Sequence, residues 1–158
     1  MQMPQDVILL LQKKLDLFLE FERYTGLLIN CNVDDMADYI TKRAELANKI
    51  ENVTDELSAL TRPVAVFPDV AAILSNSCDF SEVPPEWQPV FSAAQRVRAV
   101  ISRCLDLNEQ AIDRMAGLRA QLKDRIAEAK NTPRLIKYIS SSGLIQQEQG
   151  ISVKDRRI

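Results

Sequence analysis

An all-α fold, an antiparallel helical bundle of three long helices with an extended middle segment and a flexible C-terminal tail, is what the sequence predicts. Three observations carry that prediction. Between Glu86 and Asn131, alternating steps of four and three residues meet Val97, Ile101, Cys104, Asn108, Ala111, Met115, Leu118 and Leu122, the heptad spacing of a helix packed along another helix, and only Asn108 among them is polar. With 27% charged residues, 46% hydrophobic residues, 6% aromatics and only four glycines, the composition favours helices over sheets. Five of the seven prolines fall at 63, 68, 84, 85 and 89, so the stretches on either side are free to form long helices.

At 158 residues the chain has about one domain's length, enough to bury a core without disulfides or metal. The expected organisation is a bundle over residues 1–133, with helices at about 4–30, 34–60 and 86–131 and a capping segment at 61–85, followed by a mobile tail at 134–158.

In the first helix Pro4 suits the first turn, where its missing N–H costs nothing, and Asp6 complements the positive helix end. Val7, Ile8, Leu11, Leu15, Phe18, then Phe21 or Glu22, and Thr25, Leu28 and Ile29 trace one wide apolar stripe. Gly26 inside it costs about 1 kcal/mol relative to Ala and marks a loosened last turn or a close approach to a neighbour. The polar break from Asn30 to Asp35 interrupts the pattern, and Asn32 or Asp34 can cap the second helix. So short a connection sets that helix antiparallel to the first. Its buried side is expected to carry Met36, Tyr39, Ile40, Arg43, Leu46, Ala47, Ile50, Val53, Leu57 and Leu60. Arg43 is read as a snorkelling side chain, stem packed and head wet, in preference to a buried ion pair.

Pro63 ends the second helix, because the residue before a proline avoids the helical region. Pro68 to Leu74 can form a short helix, and Ser75 to Glu82 reads as a loop. Val64, Val66, Phe67, Ile73, Leu74, Phe80, Val83 and Trp87 are too many apolar residues for a free linker, so the segment should fold back as a cap across the bundle. A proline-flanked aromatic trio of Phe67, Phe80 and Trp87 could instead line a peptide groove. The third long helix starts at Pro85 or Glu86, tolerates Pro89 in its first turn, and ends or kinks at Asn131-Thr132-Pro133. Past that point the apolar spacing is too irregular for a core element.

The sequence contains no histidine, which removes the commonest general base, nucleophile activator and neutral-nitrogen metal ligand at once. Gly26, Gly117, Gly143 and Gly150 are scattered singly and build no phosphate-cradling loop. Paired carboxylates such as Asp34-Asp35 and Glu51-Asp55-Glu56 lie at helix starts and on polar faces, where they serve as caps and solvent contacts. The Asn52-Val53-Thr54 sequon falls in mid-helix. Cys31, Cys78 and Cys104 match neither a disulfide framework nor a zinc spacing, and are read as reduced and structural. No enzyme activity, cofactor or metal is expected. A formal charge of −2 and a pI near 5.3 argue against a nucleic-acid partner. Without a run of 18 or more apolar residues there is no membrane span, and without a signal-like start the expected location is the cytoplasm. What remains is a protein that acts through its surface by binding another protein.

A first helix rich in leucine and phenylalanine, a polar break with an acidic pair, and a second helix running Asp35-Met36-Ala37-Asp38-Tyr39-Ile40-Thr41-Lys42-Arg43-Ala44-Glu45-Leu46-Ala47-Asn48-Lys49-Ile50 resemble the small flagellar export chaperones of the FlgN and FliT type. The long third helix, Tyr138 and the apolar and basic end from Gly150 to Arg157 are similar too, so the likeness covers residues 5–60 and 95–158. The middle segment 61–89 departs from that family's plain hairpin pattern. The resemblance implies a cytoplasmic helical chaperone that holds a hook-associated or cap-type protein until the type III export apparatus takes it. It also implies that the last helix and tail grip an amphipathic segment of that protein, through Leu118, Leu122, Ile126, Leu135, Ile136, Tyr138 and Ile139. The alternative is a self-associating coiled-coil structural or adaptor protein, a homodimer in which Asn108 sets the register of the seam.

Overall fold

The structure, a computed structural model, describes residues 3–130. Every regular element among them is helical: α1 (Met3–Asn30), α2 (Val33–Thr61), α3 (Val70–Ser75), 3-10 turns at Phe80–Glu82 and Pro85–Trp87, and α4 (Gln88–Lys130). The all-α class is therefore as expected, with no strand among the described residues. The expected tail, 134–158, lies outside them. The chain divides into two compact units, Met1–Ile112 and Asp113–Ile158.

The core of the first unit is one cluster drawn from all four helices. Val7 and Leu11 of α1, Val53 and Leu57 of α2, Val70 and Ile73 of α3, and Val90, Phe91, Ala93, Ala94 and Val97 of α4 pack together with Val83 and Trp87. These are largely the positions that helical periodicity assigns to the inner faces, because a helix can bury only one stripe. In α1, Thr25 is fully buried at no polar cost, since its hydroxyl donates to the Phe21 carbonyl at 2.8 Å. Gly26 makes no close approach: a Cβ built on it would meet nothing within 4 Å, and α1 stays helical through Asn30.

Cys31 and Asn32 alone separate α1 from α2, and the Tyr24 and Tyr39 rings meet across the turn with centroids 5.9 Å apart. Asn32 occupies the N-cap position but its side chain caps nothing; its carbonyl accepts from Asp35 N at 3.0 Å, and Asp34 and Asp35 supply the acidic first turn. The buried stripe of α2 is narrower than its sequence suggests. Leu46, Val53 and Leu57 are buried, whereas Ile40 and Ala47 are exposed, because at about 100° per residue they fall to one side of the face that Leu46, Val53 and Leu57 share.

The middle segment does fold back. Asp69 caps α3 by accepting from Ala72 N at 2.8 Å, and Asn76, with φ of 56°, closes it while Ser77 N donates to the Ala72 carbonyl at 3.0 Å. Ile73, Val83 and Trp87 are buried, and Phe80 meets the Phe91 ring edge-on at 5.6 Å. The aromatic trio lines no groove: Trp87 is inside the core while Phe67 is 87% exposed. Trp87 N and Gln88 N both donate to the Pro84 carbonyl, so residues 85–87 form a 3-10 turn and α4 begins at Gln88.

Candidate functional site

The heptad positions of α4 change environment along the helix. Val97, Cys104 and Ala111 are 4%, 5% and 0% exposed, and Ile101 and Asn108 are half-buried. The same register continues through Met115 and Leu118, both half-buried, to Leu122 at 58% exposure and half-buried Ile126. Leu118, Leu122 and Ile126 are spaced by four residues and so share one face of α4. Of the residues expected to grip a partner, these three are brought together. Leu135, Ile136, Tyr138 and Ile139 lie outside the described residues.

A second feature escaped the reading of single stripes. Arg43 of α2 donates from Nη2 to Oδ1 of Asn108 on α4 at 2.8 Å, with its guanidinium 4.6 Å from the centre of the Phe21 ring of α1. Its Nε is buried without a hydrogen-bond partner, and burial pulls the guanidinium below its ordinary range. The head has no ion-pair partner among the described residues; it is half-buried, with Nη2 held by a neutral amide and the guanidinium against a ring. The available signal was that α2 and α4 each carry one polar residue inside an apolar stripe. Cys104 Sγ donates to the Phe18 carbonyl at 3.7 Å, and Arg103 pairs with Glu22 at 2.7 Å, so α4 is tied to α1 as well.

Burial, reinforced by the Glu22 charge, pushes the Cys104 thiol up, away from the thiolate a nucleophile needs. No disulfide joins the cysteines, and among the described residues no group of acidic, cysteine or histidine side chains could hold a metal ion. A cleft of about 450 Å³ between α1, α2 and the α3 segment is lined by Lys14, Thr54, Thr61, Arg62, Asp69 and Leu74. Burial lowers the pKa of Lys14. Among the described residues no helix is long and apolar enough to cross a membrane. What α4 does offer is contact area, an apolar strip on its outer half. The chain matches no protein-family model, no curated protein and no solved structure.

Proposed function

We propose that this chain is a cytoplasmic chaperone of the FlgN type. It holds an amphipathic segment of a flagellar hook-associated or cap-type protein by helix-in-groove contacts before delivery to the type III export apparatus. Its scaffold in this reading is an antiparallel bundle of the three long helices. The pairings Tyr24–Tyr39, Phe18–Cys104 and Arg43–Asn108 are those that α1, α2 and α4 would make running up, down and up. The observation that carries the reading is the persistence of the α4 stripe to Leu122 and Ile126, where Leu122 is more than half exposed. An apolar strip held in register on a helix suits an incoming amphipathic helix.

The homodimer alternative drew on Asn108 as a register residue. That amide is engaged by Arg43 of the same chain, which leaves the alternative resting on residues 115–126 alone. The two readings separate by experiment. For a chaperone, Leu118→Asp with Leu122→Asp abolishes calorimetric binding of the terminal segment of a hook-associated or cap protein, and removal of residues from Pro133 onward does the same with helicity retained. A chain that sediments as a dimer, becomes monomeric on those two substitutions and binds no such segment overturns the chaperone reading.

A further inference from the structure

In the arrangement proposed above, α2 and α4 share a face that, among the described residues, is covered at one end only. At the covered end α3 lies over it. Leu57, Leu74, Ala94, Val97 and Ile101, with Leu11 and Lys14 of α1, border one small cleft there, Arg98 donates to the Ser75 carbonyl, and Asn76 Nδ2 donates to the Phe91 carbonyl at 3.1 Å. The short helix presents Val70, Ile73 and Leu74, an i, i+3, i+4 apolar set, and both Val70 and Ile73 are buried by it.

At the other end the Arg43–Asn108 contact holds α2 and α4 together, and beyond it the apolar spacing resumes without a cover among the described residues. Val33, Ala37, Ile40, Ala44 and Ala47 follow one another along α2 in steps of four and three, and every one is exposed. On α4, Leu105 and Ile112 are seven residues apart, so they share a face, and are 62% and 51% exposed. With the helices antiparallel, Ile40 falls on the Ile112 side of the Arg43–Asn108 pair and Ala47 on the Leu105 side. Two apolar rows thus flank one polar crossing. The α2 row is about 21 Å long at 1.5 Å per residue, room for an opposing helix of about four turns.

We infer that this open half is a docking groove for an amphipathic helix of a separate polypeptide, one with apolar residues at i, i+3 or i+4, and i+7 and with basic flanks. The apolar part follows by continuity, since α3 covers the adjoining half with that spacing. The basic flanks follow from charge. Exposed Asp34 and Glu51 mark the two ends of the α2 row, and exposed Asp106 and Glu109 stand on the outer side of the α4 row. Arg43 and Arg98 keep their charge, because Asn108 and the Ser75 carbonyl are neutral acceptors, but Arg43 lies at the crossing in mid-row and Arg98 at the covered end, so neither supplies a cation at the flanks. A second copy docked by the same face would bring these carboxylates together, and an anionic lipid surface would meet the same repulsion. The surface is distinct from Leu118, Leu122 and Ile126, and the inference stands whether or not the chaperone reading does.

The test titrates the full chain into two labelled peptides of about four helical turns, long enough for the groove. Both carry leucine at heptad positions; one is flanked by lysine and the other by glutamate. The lysine peptide is expected to bind at least about tenfold more tightly. Leu105→Glu with Ile112→Glu should weaken it by about tenfold or more, while Leu9→Glu, at an exposed position of α1, leaves it unchanged. Far-UV circular dichroism and the unfolding midpoint check that these exposed substitutions leave the fold intact. Asp106→Lys with Glu109→Lys keeps every apolar contact and should shift the preference toward the glutamate peptide. Equal affinity for the two peptides, binding indifferent to Leu105→Glu and Ile112→Glu, or a dimer that those substitutions dissociate would overturn the inference.

Discussion

Replacing Asn108 by alanine removes the hydrogen-bond acceptor that Arg43 finds on α4. The bond is short, 2.8 Å, and charge-assisted, and the guanidinium above the Phe21 ring is partly withdrawn from water. A bond of that class contributes about 1.5–3 kcal/mol when fully desolvated. Arg43 is only half-buried, so water replaces part of the loss. The expected cost of Asn108→Ala is therefore about 1–2 kcal/mol, which lowers the thermal midpoint of a chain this size by roughly 3–6 °C. Arg43→Met acts differently. It keeps an unbranched stem over Phe21 while removing the desolvated charge and the unpartnered Nε, and it leaves behind a neutral, half-exposed amide. Its cost should stay below about 1 kcal/mol, and the double variant Arg43→Met, Asn108→Leu should be near neutral or stabilising. Urea unfolding of the four proteins, followed by circular dichroism and combined as a double-mutant cycle, measures the coupling. If Arg43→Met costs more than about 3 kcal/mol, or Asn108→Ala costs nothing, then the pair is not the partly desolvated charge–amide contact described and the reasoning fails.

Three further outcomes are expected. Lys14 has its pKa lowered by burial alone, so the folded chain resists its charge. That penalty is full below the folded pKa and fades as pH rises through it toward the unfolded value, so Lys14→Met should stabilise the chain by about 0.5 kcal/mol near neutrality, after discounting for its wet half, and by progressively less as alkaline pH passes through the lowered folded value. Unfolding midpoints across that range check it, and a gain that grows with pH would contradict it. Gly26→Ala adds a methyl group into open space within α1 and should raise stability by about 0.5–1 kcal/mol, read as a higher thermal midpoint. With an aromatic disulfide reagent at mildly alkaline pH, half-buried Cys31 and Cys78 should react first. Cys104, 5% exposed and shifted up, should react only as the chain opens, so mass spectrometry finding it labelled first would refute its burial.

The sequence by itself determined the class and the long helices, because both depend on local chemistry. Heptad spacing, the polar break at Asn30–Asp35 and the proline cluster place α1, α2 and α4 to within a few residues. The short helix before Ser75 was legible too, through Pro68, Asp69 and the apolar run behind them. Tertiary structure decided which part of each stripe is covered. Ile40 and Ala47 share the spacing of Leu46 and Val53 yet stay exposed, because burial depends on where neighbouring helices lie, and periodicity along one helix does not contain that direction. The same limit hid the Arg43–Asn108 contact. Each residue is an exception within its own stripe, and only the register of α2 against α4, across a separation of 65 residues, turns two exceptions into one bond.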